Sequence, residues 1–135
     1  MRLLVIMLFL IAIKVFANDN LAGKSLICGY GKNKDFYEAY LFFKDKYVSK
    51  FLFLEKNKFR IRQNEKKHYF LSNDFINLKP FKINRKNLQV IDTEYDEIVG
   101  LCHIAPSHEK AAKFMNDFLN RTQENYNKNL EGYEI

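Results

Sequence analysis

The chain has 135 residues, with 22 Lys and Arg against 16 Asp and Glu, a formal charge of +6, and 16% aromatic residues without a tryptophan. That length suits one ordinary domain. The basic residues are scattered among acidic residues and asparagines, with no dense Lys/Arg block, which argues against nucleic acid as a partner.

The first stretch runs from Met1-Arg2 through an apolar segment, Leu3 to Ile13, to Val15-Phe16-Ala17 and then polar Asn18-Asp19-Asn20. This is the charge, apolar core and small-residue cleavage pattern of a secretory signal peptide over residues 1–17. An apolar run of about 11 residues is too short to span a bilayer, which needs about 20. Lys14, late in the segment, leaves an uncleaved anchor as the alternative and as the only route to a membrane. Cleavage after Ala17 removes Arg2 and Lys14 and lowers the charge to about +4. Residues 18–135 then form a single β-rich domain, exported to the periplasm or secreted.

Cys28 and Cys102 remain after processing, and an even cysteine count in an exported chain predicts a disulfide. Closing the loop between them would contribute roughly 4 kcal/mol in the chain-entropy model. Two buried thiols are the alternative.

Ser25 to Tyr30 reads as a first strand with Leu26, Cys28 and Tyr30 on one face. Phe36 to Phe43 is aromatic-rich, and aromatic rings pack well on a pleated surface. Lys44-Asp45-Lys46 reads as a hairpin loop and Tyr47 to Leu54 as the next strand. Asn57 suits a turn over Glu55 to Lys58. Phe59-Arg60-Ile61-Arg62 alternates, with Phe59 and Ile61 inward. Further short segments are His68 to Leu71, Phe75 to Leu78, Phe81 to Ile83, Leu88 to Ile91 and Ile98 to Ile104. Pro80 marks an edge or corner, since proline cannot donate to a central ladder. In the last segment, Ile98, Gly100, Cys102 and Ile104 are expected to share a face.

Short apolar segments with turn signals every 8 to 12 residues are the signature of an antiparallel sandwich or small barrel. The fold class is therefore mainly β, of α+β type. About eight strands over residues 24–104 precede one amphipathic α-helix over about 107–128. Ser107 can cap that helix and Glu109 opposes its dipole. Ala111, Phe114, Met115, Phe118, Leu119, Thr122 and Tyr126 recur at spacings of three and four. Their expected partner is an open side or mouth of the sheet.

Among chemistry-bearing residues, His103, His108 and Glu109 offer imidazole and carboxylate within one corner. Zinc helices place two histidines one turn apart, whereas here Pro106 separates a strand histidine from a helix histidine. Cys102 and His103 are adjacent on a strand and so point to opposite faces. There is no Gly-rich phosphate loop, serine nucleophile motif or metal-ligand spacing, so neither a cofactor, a metal nor a catalytic residue is expected. Asn120-Arg121-Thr122 fits the glycosylation triplet but falls in the predicted helix. Glu38 and Lys50 interrupt apolar runs and are expected to form an exposed cross-strand pair. In a barrel some of the many aromatic rings must face inward. Tyr40, Tyr47 and Tyr69, whose hydroxyls need partners when buried, are the candidates to line a ligand site. Plain core filling is the competing role for these rings.

The lead Leu21-Ala22-Gly23-Lys24-Ser25-Leu26-Ile27-Cys28, a strand-rich middle and a second cysteine near the end together resemble small exported bacterial β-rich proteins of lipocalin-like or avidin-like look. The match at residue level is Gly23-Lys24-x-Leu26-x-Cys28. The resemblance implies a barrel and assigns no functional residue. The expected function is an exported, non-catalytic binding or structural protein for a small apolar ligand or a protein partner. The alternative is a small metal-dependent or hydrolytic enzyme using His103, His108 and Glu109.

Overall fold

The computed structural model describes residues 20–31, 36–55 and 59–131. The expected signal peptide and the turn at Asn57 lie outside them. Besides a 3-10 turn at Lys44–Lys46, ten strands and one α-helix follow in chain order within these residues. They are β1 (Ser25–Tyr30), β2 (Phe36–Phe43), β3 (Tyr47–Glu55), β4 (Phe59–Gln63), β5 (Lys67–His68), β6 (Phe70–Leu71), β7 (Phe75–Asn77), β8 (Phe81–Asn84), β9 (Gln89–Asp92), β10 (Glu97–Ala105) and α1 (His108–Glu131). Every pairing is antiparallel, and the order β4-β3-β2-β1-β10-β9-β8-β7-β6, with β5 beside β3, makes one sheet curled into a half-barrel. The mainly β architecture with a C-terminal helix is the one expected.

Turn chemistry shapes the hairpins. Asp45 and Lys46 take left-handed backbone between β2 and β3. Asn84 Oδ1 accepts from the amides of Lys86 and Asn87, and Asp92 Oδ1 accepts from those of Glu94 and Tyr95. Side chains of this kind imitate a backbone turn. The segment expected as one strand, His68 to Leu71, is broken at Tyr69: Tyr47 pairs with His68, whereas Phe70 pairs with Asn77 on the far side of the half-barrel. Tyr69 is buried between these two pairings, and its amide donates to the Lys46 carbonyl. Pro80 sits in the corner between β7 and β8, as its missing donor requires.

Two apolar clusters lie on opposite faces. The concave face buries Leu26, Cys28, Phe42, Ile83, Val90 and Cys102, among others. Cys28 stands directly opposite Cys102 in the register, and their sulfurs are bonded. Such a bond fits an oxidising location. One expectation fails in β10: the register shifts between Ile98 and Gly100, so Ile98 pairs with Ile91 and is 62% exposed, while Val99 joins the concave cluster. A bulge adds one residue to one strand and thereby reverses the alternation beyond it.

The helix covers the opposite, convex face. Ala111 and Met115 are fully buried against Ile27, Ala39 and Leu41, and Tyr37 meets the rings of Phe114 and Phe118 edge-on at 5.2 and 4.9 Å. Ser107 Oγ accepts from the Lys110 amide as the predicted cap. The helix therefore closes neither the mouth nor the open side of the sheet. The reason is in β1 and β2, which are buried on both faces: Leu26-Ile27-Cys28 and Ala39-Tyr40-Leu41-Phe42 alternate between the concave core and the helix. A helix of 24 residues is about 36 Å long and overruns the strands it covers, so Tyr126 is exposed although it lies on the apolar stripe.

Candidate functional site: a cleft on the open side of the half-barrel

Because the helix lies outside the curl, the concave face stays open between β3 and the β7–β8 hairpin. A cleft of about 360 Å³ occupies this gap. Tyr40 lies at its base. One wall comes from β3 and the following segment, with Val48, Ser49, Lys50, Lys67 and His68. The other comes from the hairpin, with Leu78, Lys79, Pro80 and Phe81, and Phe70 stands at the rim. Alternation along each strand puts these groups together: Tyr40 pairs with Lys50 and Phe42 with Val48, so all four side chains share the concave face.

Two of the lining residues, Tyr40 and Lys50, belong to a polar chain. Tyr30 Oη and Tyr40 Oη are 3.3 Å apart, Tyr40 Oη donates to Glu38 Oε2 at 3.5 Å, and Lys50 Nζ donates to the same oxygen at 3.3 Å. Glu38 is 8% exposed while Lys50 is half-buried, so this is a part-buried ion pair rather than the expected surface pair. In the register Lys50 faces Tyr40, which makes Glu38 its diagonal neighbour, still within reach of a long side chain. Burial raises the pKa of the Tyr30 phenol, helped by the proximity of Tyr40 and Glu38. Burial likewise raises that of Tyr40, with the Glu38 carboxylate adding to it. Both phenols stay neutral donors under ordinary conditions. The chain is thus arranged to hold the base of the cleft in place.

The three tyrosines singled out from sequence part company. Tyr40 lines the cleft. Tyr47 stacks on His68, ring centroids 4.0 Å apart, and borders a separate depression with Phe43, Lys66 and His108. Tyr69 is buried with its ring edge-on to Phe42 at 5.3 Å, where it fills the core. Burial raises its phenol pKa, partly offset by Arg85.

The histidines are engaged separately. His108 Nε2 lies 2.9 Å from the Phe42 carbonyl oxygen, and its ring meets Phe43. His103 meets Phe114 edge-on at 5.4 Å on the convex face, with Cys102 pointing the other way into the core. Glu109 is exposed in the first turn of the helix. Among the described residues no group of three or more His, Cys, Asp or Glu is placed to hold a metal ion. Asn120 is exposed within the helix, and Thr122 Oγ1 donates back to the Phe118 carbonyl.

Sequence reasoning missed Lys67, Lys79 and Leu78 as cleft residues, and it held Phe81 only among the many rings that could face inward. The one signal toward them was Pro80, which marked the corner that forms a wall. Comparison of the chain with protein-family models, curated proteins and solved structures finds no match.

Proposed function

We propose that this is an exported, non-catalytic binding protein that takes a small, largely apolar ligand into the cleft between β3 and the β7–β8 hairpin. The observation that carries the reading is the cleft itself, concave, floored by Tyr40, flanked by Val48, Leu78 and Phe81, and large enough for a small ligand. A few fixed polar groups beside an apolar lining suit binding, because they orient a ligand without converging on a reacting atom. Export is supported by the signal-like first 17 residues and by the disulfide, and a lipocalin-like mode of binding by the curled sheet.

The test is titration of the purified, disulfide-bonded protein with N-phenyl-1-naphthylamine, a neutral apolar dye whose emission rises in dry surroundings. Saturable binding at one dye per chain is expected. It should be lost in Leu78→Trp, which fills the cleft, with circular dichroism confirming that the fold is kept. Unsaturable emission, or equal binding by a folded Leu78→Trp variant, would count against the reading.

A further inference from the structure

The charges around the cleft narrow the class of ligand, given the reading of the cleft as a binding site. Two neutral donors of its lining are turned to the protein's own backbone: Ser49 Oγ donates to the Asn64 carbonyl at 2.7 Å, and Asn77 Nδ2 to the Phe70 carbonyl at 3.2 Å. Lys50 is paired with Glu38 at 3.3 Å. Lys67 and Lys79 remain, both exposed and neither in an ion pair among the described residues, with the Glu65 carboxylate as the one opposing charge on the lining.

Lys67 stands on β5, beside β3, and Lys79 in the turn ahead of β8, so the two lysines come from opposite walls of the cleft. Leu78, Pro80 and Phe81, next to Lys79 in the chain, line the same cleft as Tyr40 and give it apolar surface. We propose that the cleft selects amphipathic carboxylates, with the apolar body on Tyr40, Leu78 and Phe81 and the carboxylate held between Lys67 and Lys79. A bridging anion would tie the two walls together across the open side of the half-barrel. It would also accept charge-assisted hydrogen bonds from both ammonium groups, which are stronger than those of neutral donors. The overall basic charge favours the encounter with anions.

Decanoate and decanol share a chain length and differ in the head group, which makes them the probes. Each is used to displace N-phenyl-1-naphthylamine from the disulfide-bonded protein at low and at high salt, in the native sequence and in Lys67→Gln/Lys79→Gln. Decanoate should bind about ten-fold more tightly than decanol at low salt, the scale of one charge-assisted hydrogen bond. High salt and the double variant should each remove most of that preference and leave decanol within about two-fold. Equal affinity for the two probes, or a decanoate preference that survives in the double variant, overturns the carboxylate assignment while dye binding still upholds the cleft. If the dye does not bind either, the binding reading falls together with it.

Discussion

Gly100 lies directly opposite Tyr30 in the β1–β10 pair, and the Tyr30 ring covers the place that a side chain at Gly100 would take. A Cβ there would stand 2.7 Å from the Gly29 carbonyl oxygen and 2.9 Å from Tyr30 Cδ1. The same ring lies 6.1 Å from Phe81 of the cleft wall and carries the hydroxyl that meets Tyr40. Absence of a side chain at one position of β10 therefore lets Tyr30 lean inward and support the base of the cleft.

Gly100→Ala should destabilise the protein by about 1–3 kcal/mol, the usual cost of overpacking, because one of the two clashing atoms is backbone and cannot turn aside. Urea denaturation monitored by circular dichroism measures it. An unchanged midpoint would show that β1 and β10 can separate freely at this point.

Cys28 and Cys102 are 74 residues apart along the chain and buried at the centre of the sheet. Replacing both by alanine should cost about 2–4 kcal/mol. Mass spectrometry of the unreduced protein should show two hydrogens fewer than the dithiol, and neither sulfur should react with iodoacetamide before unfolding. Ready alkylation of both in the native protein would contradict the bond.

Met115 is fully buried between the helix and the convex face of β1 and β2. Met115→Ala should cost about 2–5 kcal/mol through lost contacts and a residual cavity. Asn120→Ala, on the exposed side of the same helix, should change stability by less than about 0.5 kcal/mol. Similar losses for the two would mean that the helix is not held by this stripe.

Tyr30, Tyr40 and Tyr69 all have raised pKa values in the fold, with burial as the leading cause. Unfolded tyrosine loses its proton near pH 10. Above that pH the unfolded chain therefore binds fewer protons than the native one, and stability must fall as pH rises. The stabilisation is fully present below about pH 10. Tyrosinate absorbance of the folded protein should stop short of all eight tyrosines and complete only as the circular dichroism signal is lost. Complete titration with the fold intact would exclude buried phenols.

His103 and His108 contact rings and a carbonyl on the helix side, away from the cleft lining. Their joint replacement by alanine should leave dye binding within about two-fold, at a cost of about 1 kcal/mol for the hydrogen bond to Phe42. Loss of binding in a folded double variant would move the site to that corner.

By itself the sequence determined the features that depend on near neighbours. Alternation marked Leu26, Cys28 and Tyr30 as one face of a strand, the three-and-four spacing from Ala111 to Phe118 marked a helix stripe, and Pro80 marked a corner. Each is legible because side-chain direction follows from backbone period alone. Tertiary structure decided which surfaces meet. Both faces of β1 and β2 are apolar, so the local pattern could not say that the helix takes the convex one and leaves the concave side open. The bulge at Val99 and the break at Tyr69 likewise depend on which strands pair, and strand pairing joins residues far apart in the chain. Lys67 and Lys79 face one cleft because the half-barrel curls β5 and the β7–β8 turn toward each other, a closure set by the twist and packing of the whole sheet.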